Sequence, residues 1–130
     1  MVPERLVDGW AVLAPVGALD LLGGERLVKR VQELCAEDCP RIVLDLGRVT
    51  STDASGAGSL IKALRHARGA GGDFRLACAP REIRRAFHVK RIDRIFALHD
   101  TVVEAIVAGT PATRRLMARQ RSRAADRSGE

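Results

Sequence analysis

Arg41-Ile42-Val43-Leu44-Asp45-Leu46-Gly47-Arg48-Val49-Thr50-Ser51-Thr52-Asp53-Ala54-Ser55-Gly56-Ala57-Gly58 passes from branched apolar residues, through a polar turn, into small residues. The run from Arg41 to Leu46 predicts a short strand buried on both faces. Gly47 to Ala54 predicts a polar loop. From Ser55 to Ala70, the residues Leu60, Ile61, Leu64 and Ala67 fall on one stripe, which predicts an amphipathic helix. A buried strand feeding a helix is half of a parallel crossover unit. In open α/β sheets, binding sites collect where such strands end. Asp53 and Ser55 are both good N-cap residues, and either would satisfy the free N–H groups of the first helical turn. Gly56 and Gly58 carry no Cβ, so a partner backbone or a nucleotide could come close to Ser55.

Upstream, residues 4–8 predict a short strand, Asp8-Gly9 a turn, and Trp10 to Val16 a second strand, together a hairpin. Gly17-Ala18-Leu19-Asp20 breaks it. Leu27, Val28, Val31, Leu34 and Cys35 then recur at helical spacing over about 21–36, and Pro40 closes that helix. Downstream, Gly71-Gly72-Asp73 supplies a helix stop, and Phe74 to Cys78 alternates as a strand. Pro80 opens a short helix with Ile83, Ala86 and Phe87 facing inward. Ile95 to Leu98 predicts a last strand. Thr101-Val102-Val103-Glu104 fits a capping box, starting a helix with Val102, Val103, Ile106 and Val107 inward. The expected order is β-β-α-β-α-β-α-β-α, an α/β fold with a mixed sheet of about five strands and about four helices.

At 130 residues the chain allows about one domain. A chain that is 46% hydrophobic and 29% charged can bury a core, so it is not of the disordered class. No run of about 18 apolar residues predicts a membrane span. Met1-Val2-Pro3-Glu4-Arg5 does not read as a secretory signal, so a cytoplasmic protein is expected. Aromatic residues make up 3%, too few for a base-stacking surface. The net charge of +6 is uneven. Residues 1–110 carry +2, and residues 111–130 carry +4 through six arginines. The expected organisation is a folded domain over 1–110 and an Arg-rich, flexible C-terminal tail over 111–130. Such a tail can attract nucleic acid, but its plainer reading is a solvated end, and direct nucleic-acid binding is not expected.

Catalytic and metal-binding patterns are missing. Neither a phosphate-binding loop nor a dinucleotide glycine fingerprint is present, and no nucleophile elbow occurs. His66, His88 and His99 fall on different elements. Cys35, Cys39 and Cys78 lack the companions that a zinc site needs and are expected as free thiols. The expectation is a protein that is not an enzyme and has no cofactor or metal.

Asp45-Leu46, Val49 and then Asp53-Ala54-Ser55-Gly56-Ala57-Gly58 resemble the Asp-Ser-Ser-Gly-Leu-Gly signature of STAS domains, named for sulfate transporters and anti-sigma-factor antagonists. Gly17-Ala18-Leu19-Asp20, Gly71-Gly72-Asp73-Phe74-Arg75-Leu76 and the stretch Pro80 to Phe96 are similar to further motifs of that family, in the same order. The resemblance covers about residues 4–108. It implies a bacterial anti-sigma-factor antagonist that binds an anti-sigma factor of the serine-kinase type. It implies Ser55 as the phosphorylation site, with a phosphatase to reset it. Asp20, Asp53, Ala54, Ser55, Gly56, Ala57 and Gly58 would form the partner-binding surface. Ala54 and Ala57 depart from the signature, where the family has Ser and Leu. The second implied reading is a non-switching STAS scaffold or accessory subunit, as in stressosomes or beside lipid-transport ATPases. In that reading Ser55 is only a helix cap.

Overall fold

A computed structural model describes residues 2–109. The tail expected over 111–130 lies outside the described residues. Glu4–Val7 (β1) and Trp10–Leu13 (β2) form an antiparallel hairpin. Its turn residues Asp8 and Gly9 have φ of 51° and 81°, the left-handed pair that matches the twist of a tight hairpin. Arg41–Asp45 (β4), Asp73–Ala77 (β6) and Leu98–His99 (β7) add in parallel, giving the sheet order β1-β2-β4-β6-β7. This is the expected five-stranded mixed sheet. Four helices accompany it: Leu21–Ala36 (α1), Ala54–Gly69 (α2), Arg81–Val89 (α3) and Val102–Val107 (α4).

Two short strands go beyond the expected order. Gly17–Leu19 (β3) and Val49–Thr52 (β5) pair in parallel as a separate two-stranded ladder. Gly17–Asp20 was expected only as a break and Gly47–Ala54 as a loop. Thr50 and Ser51 are exposed, so no apolar alternation marks β5. The ladder holds because Val49 and Leu19 are buried. The last strand also differs. Ile92–Arg94 is a single 3-10 turn, Ile95 is 46% exposed, and the strand starts only at Leu98.

Strand alternation splits the core in two. Leu13, Leu44, Leu76 and Phe74 face the layer of α1, α2 and α3, together with Leu27, Leu60 and Phe87. Trp10, Val12, Val43 and Ala77 face the other way, covered by Val102 and Ala105 of α4. Val103 and Val107, expected inward, are 64% and 73% exposed. A helix of six residues on a sheet face buries one narrow stripe, here Val102, Ala105 and part of Ile106.

Candidate functional site

The geometry of the site starts at the β3–β5 ladder. Leu19 and Thr52 are parallel register partners, and Asp20 and Asp53 directly follow them. Neighbouring strands lie about 5 Å apart, so the two helix starts emerge side by side. Asp20 Oδ1 accepts from the Gly23 N–H at 2.9 Å and caps α1. Asp53 Oδ1 accepts from the Gly56 N–H at 2.8 Å and caps α2. Both carboxylates are thereby held at helix N-termini, where negative charge is favoured.

Asp53 takes the capping role that spacing alone left open between it and Ser55. Ser55 is the second residue of α2 and is exposed. Its carbonyl accepts from the Ser59 hydroxyl at 3.1 Å. Its own hydroxyl has no hydrogen-bond partner among the described residues.

The glycines divide in a way that the sequence did not show. A Cβ on Gly56 would lie 1.9 Å from the Leu19 carbonyl oxygen. Gly56 therefore lets α2 seat against β3, and it is buried rather than open to a partner. Ala57 is buried in the main core at 5% exposure. Gly58 has open space where a Cβ would be. The surface at the turn is thus made by Asp53, Ala54, Ser55 and Gly58, with Asp20 beside it. Gly56 and Ala57 shape that surface from beneath.

Close packing extends to α1. A Cβ on Gly24 would meet the Ser59 Oγ at 2.2 Å, so α1 and α2 touch nearly backbone to side chain there. Beside that contact a groove of about 400 Å³ opens between the two helices. Ser55, Gly58 and Ser59 line one wall and Glu25 and Lys29 the other, with Lys62 at the end of the first wall. On the opposite flank, the Lys90 ammonium donates to the Thr52 carbonyl at 3.1 Å. These lysines were not singled out from the sequence. Lys62 carried a signal, since it lies two helical turns beyond Ser55 on the same face.

The other titratable groups are elsewhere. His66 pairs with Gln32 at 3.1 Å, and His88 with Asp93 at 2.8 Å. Cys35, Cys39 and Cys78 are free and partly buried. Burial pushes the Cys35 and Cys78 thiols up, and the Asp45 carboxylate adds to the effect at Cys78. Among the described residues, no cluster of His, Cys, Asp or Glu is placed to hold a metal ion, and no helix is long and apolar enough to cross a membrane.

Residues 4–105 match the model of the STAS domain family. A Thermotoga maritima protein described as a candidate anti-sigma factor antagonist is 28% identical over 107 residues, which is 82% of this chain and 95% of that one. Its crystal structure superposes with a TM-score of 0.74, at 27% identity, covering 82% of this chain and 92% of that chain. An anti-sigma factor antagonist from Mycobacterium paratuberculosis gives 0.69 at 23% identity, covering 82% and 90% of the two chains. The phosphorylated form of the Bacillus cell fate determinant SpoIIAA gives 0.61 at 19% identity, covering 82% and 96%. The last two likenesses show the shared fold. With the family match spanning nearly all the described residues, and its signature forming the turn between β5 and α2, the chain belongs to the STAS domain family.

Proposed function

We propose that this protein is an anti-sigma-factor antagonist that binds an anti-sigma factor of the serine-kinase type and is switched off by phosphorylation of Ser55. One observation carries the reading. Asp53 caps α2, so the fold leaves the Ser55 hydroxyl exposed and unused. A serine kept only as a cap would be hydrogen-bonded to the first turn. The described role of the Thermotoga relative supports the partner class. SpoIIAA, which shares the fold, exists in a phosphorylated form.

The energetics suit a switch. A phosphate adds a charge of about −1.5 to −2 and three strong acceptors. At the start of α2 it is tolerated within the fold, because the helix dipole favours an anion by about 0.3–1 kcal/mol. In a close interface it must shed water, and it meets Asp20 and Asp53 as like charges. A loss of about 3–4 kcal/mol weakens a complex several-hundred-fold. On this reading the protein is a substrate and a binder, acts in the cytoplasm, and is reset by a phosphatase. Its contact surface is Asp20, Asp53, Ala54, Ser55 and Gly58.

The test is phosphate mapping after incubation with the serine-kinase anti-sigma factor of the source organism and ATP. Wild type should be labelled at Ser55 and Ser55→Ala should not. Equal labelling of the two proteins would end the proposal.

A further inference from the structure

We infer that the groove between α1 and α2 is a phosphate receptor, and that a phosphate carried on Ser55 is held there by Lys29 and Lys62. The inference rests on Ser55 being the modified residue. It adds where the phosphate goes and what holds it.

The groove has room for the group. Its volume of about 400 Å³ is several times that of a phosphate, and Ser55 itself forms part of its wall. Its lining is more apolar than polar, with Leu21 and Val28 among the wall residues, and its charged groups are two lysines and Glu25. Lys29 contributes one ammonium from α1 and Lys62 another from α2, so the two cations approach from opposite walls. Neither lysine has an ion pair or hydrogen bond among the described residues, so both are available. Lys62 stands two turns along α2 from Ser55, and helical side chains lean toward the N-terminus, so its ammonium reaches back toward the serine. Gly58 lies between them without a side chain, and the space a Cβ would take is open. The Ser59 hydroxyl is committed to the Ser55 carbonyl, which leaves the lysines as the groove's free donors near the serine.

Other charges bear on the same phosphate. Asp20 and Asp53 cap the two helix starts near Ser55, and Glu25 lines the groove from α1 beside Lys29. Lys90 lies on the far flank at Thr52. His66 sits beyond the groove against Gln32. The carboxylates raise the second phosphate pKa and the lysines lower it, so removing the lysines alone isolates their contribution.

The experiment needs no kinase. Phosphoserine is placed at position 55 of the full chain by codon reassignment, and the phosphate is titrated by phosphorus NMR. A free phosphoserine loses its second proton near pH 6. Charges about 6 Å apart in a water-like medium shift such a group by roughly 0.5 unit each. Lys29→Gln and Lys62→Gln should each raise the phosphate pKa, and the double variant should raise it by roughly 0.5–1 unit. Lys90→Gln, on the far flank, should raise it by clearly less than the groove pair does. A double variant that titrates like wild type would overturn the inference, as would a Lys90→Gln shift as large as that of the groove pair. Because the phosphate is installed synthetically, these results stand apart from whether a kinase labels Ser55.

Discussion

Single residues at the turn carry separable duties. Gly56 and Gly58 look alike in the sequence, yet a Cβ on the first meets a backbone carbonyl and on the second meets nothing. Gly56→Ala should destabilise by about 1–3 kcal/mol, because α2 must move off Leu19. Gly58→Ala should stabilise by about 0.5–1 kcal/mol through helix propensity. Urea unfolding midpoints measure both, and a neutral Gly56→Ala would mean that α2 is not seated on β3. The thiols give a pH prediction. Raised pKa values at Cys35 and Cys78 keep these groups protonated in the folded state, so their contribution to stability is present below the ordinary thiol range and fades as pH rises through the raised one. Alkylation at pH 8 should therefore be slow at both in the native protein and fast in urea; equal rates would contradict the burial. At this scale the sequence pointed to the residues of the turn and left their roles open. It could not decide which of Asp53 and Ser55 caps α2, since either side chain can reach the first turn. That choice is set by backbone conformation, extended at Asp53 with ψ of −176°.

Among the elements, α4 depends most on one side chain. It buries only Val102 and Ala105. Arg75 on β6 is 5% exposed and ties it down. The Arg75 Nε pairs with Asp73 Oδ2 at 3.1 Å, and its terminal nitrogens donate to the carbonyls of Ala105 at 2.7 Å, Gly109 at 2.9 Å and also Ala108. Its guanidinium stacks 4.5 Å above the ring of Trp10. Arg75→Met should cost about 3 kcal/mol, the low end for breaking a buried pair, because Arg68 still neutralises Asp73 at 3.2 Å. Trp10 is the only tryptophan, so its emission should change in the folded variant. An unchanged urea midpoint would show that apolar burial alone holds α4. None of this was visible in the sequence, where Arg75 sits in a motif of apolar alternation. The strongly periodic α1 and α2 were legible nearly to the residue. By contrast β3 and β5, too short and polar to show a period, were not, since their pairing depends on the packing of Leu19 and Val49.

Across the whole molecule, the fold sets two helix starts and one basic flank around a single serine. Residues 81–94 carry six cations against two carboxylates. Their position beside the turn comes from the packing of α3 on β5 and from the Lys90–Thr52 contact. The mixed sheet of about five strands was legible because strands joined through helices pair in parallel by right-handed crossovers, while the order of the strands across it came from the structure. The family signature was legible as residues, while the groove lined by Lys29 and Lys62 needed the crossing of α1 on α2 at Gly24 and Ser59. The central claim is that a phosphate on Ser55 ends partner binding. Its most direct test is calorimetric titration of the serine-kinase anti-sigma factor with two forms of this protein, one carrying serine and one carrying phosphoserine at position 55. The account predicts that the phosphorylated form binds several-hundred-fold more weakly, and equal affinity of the two forms would contradict it.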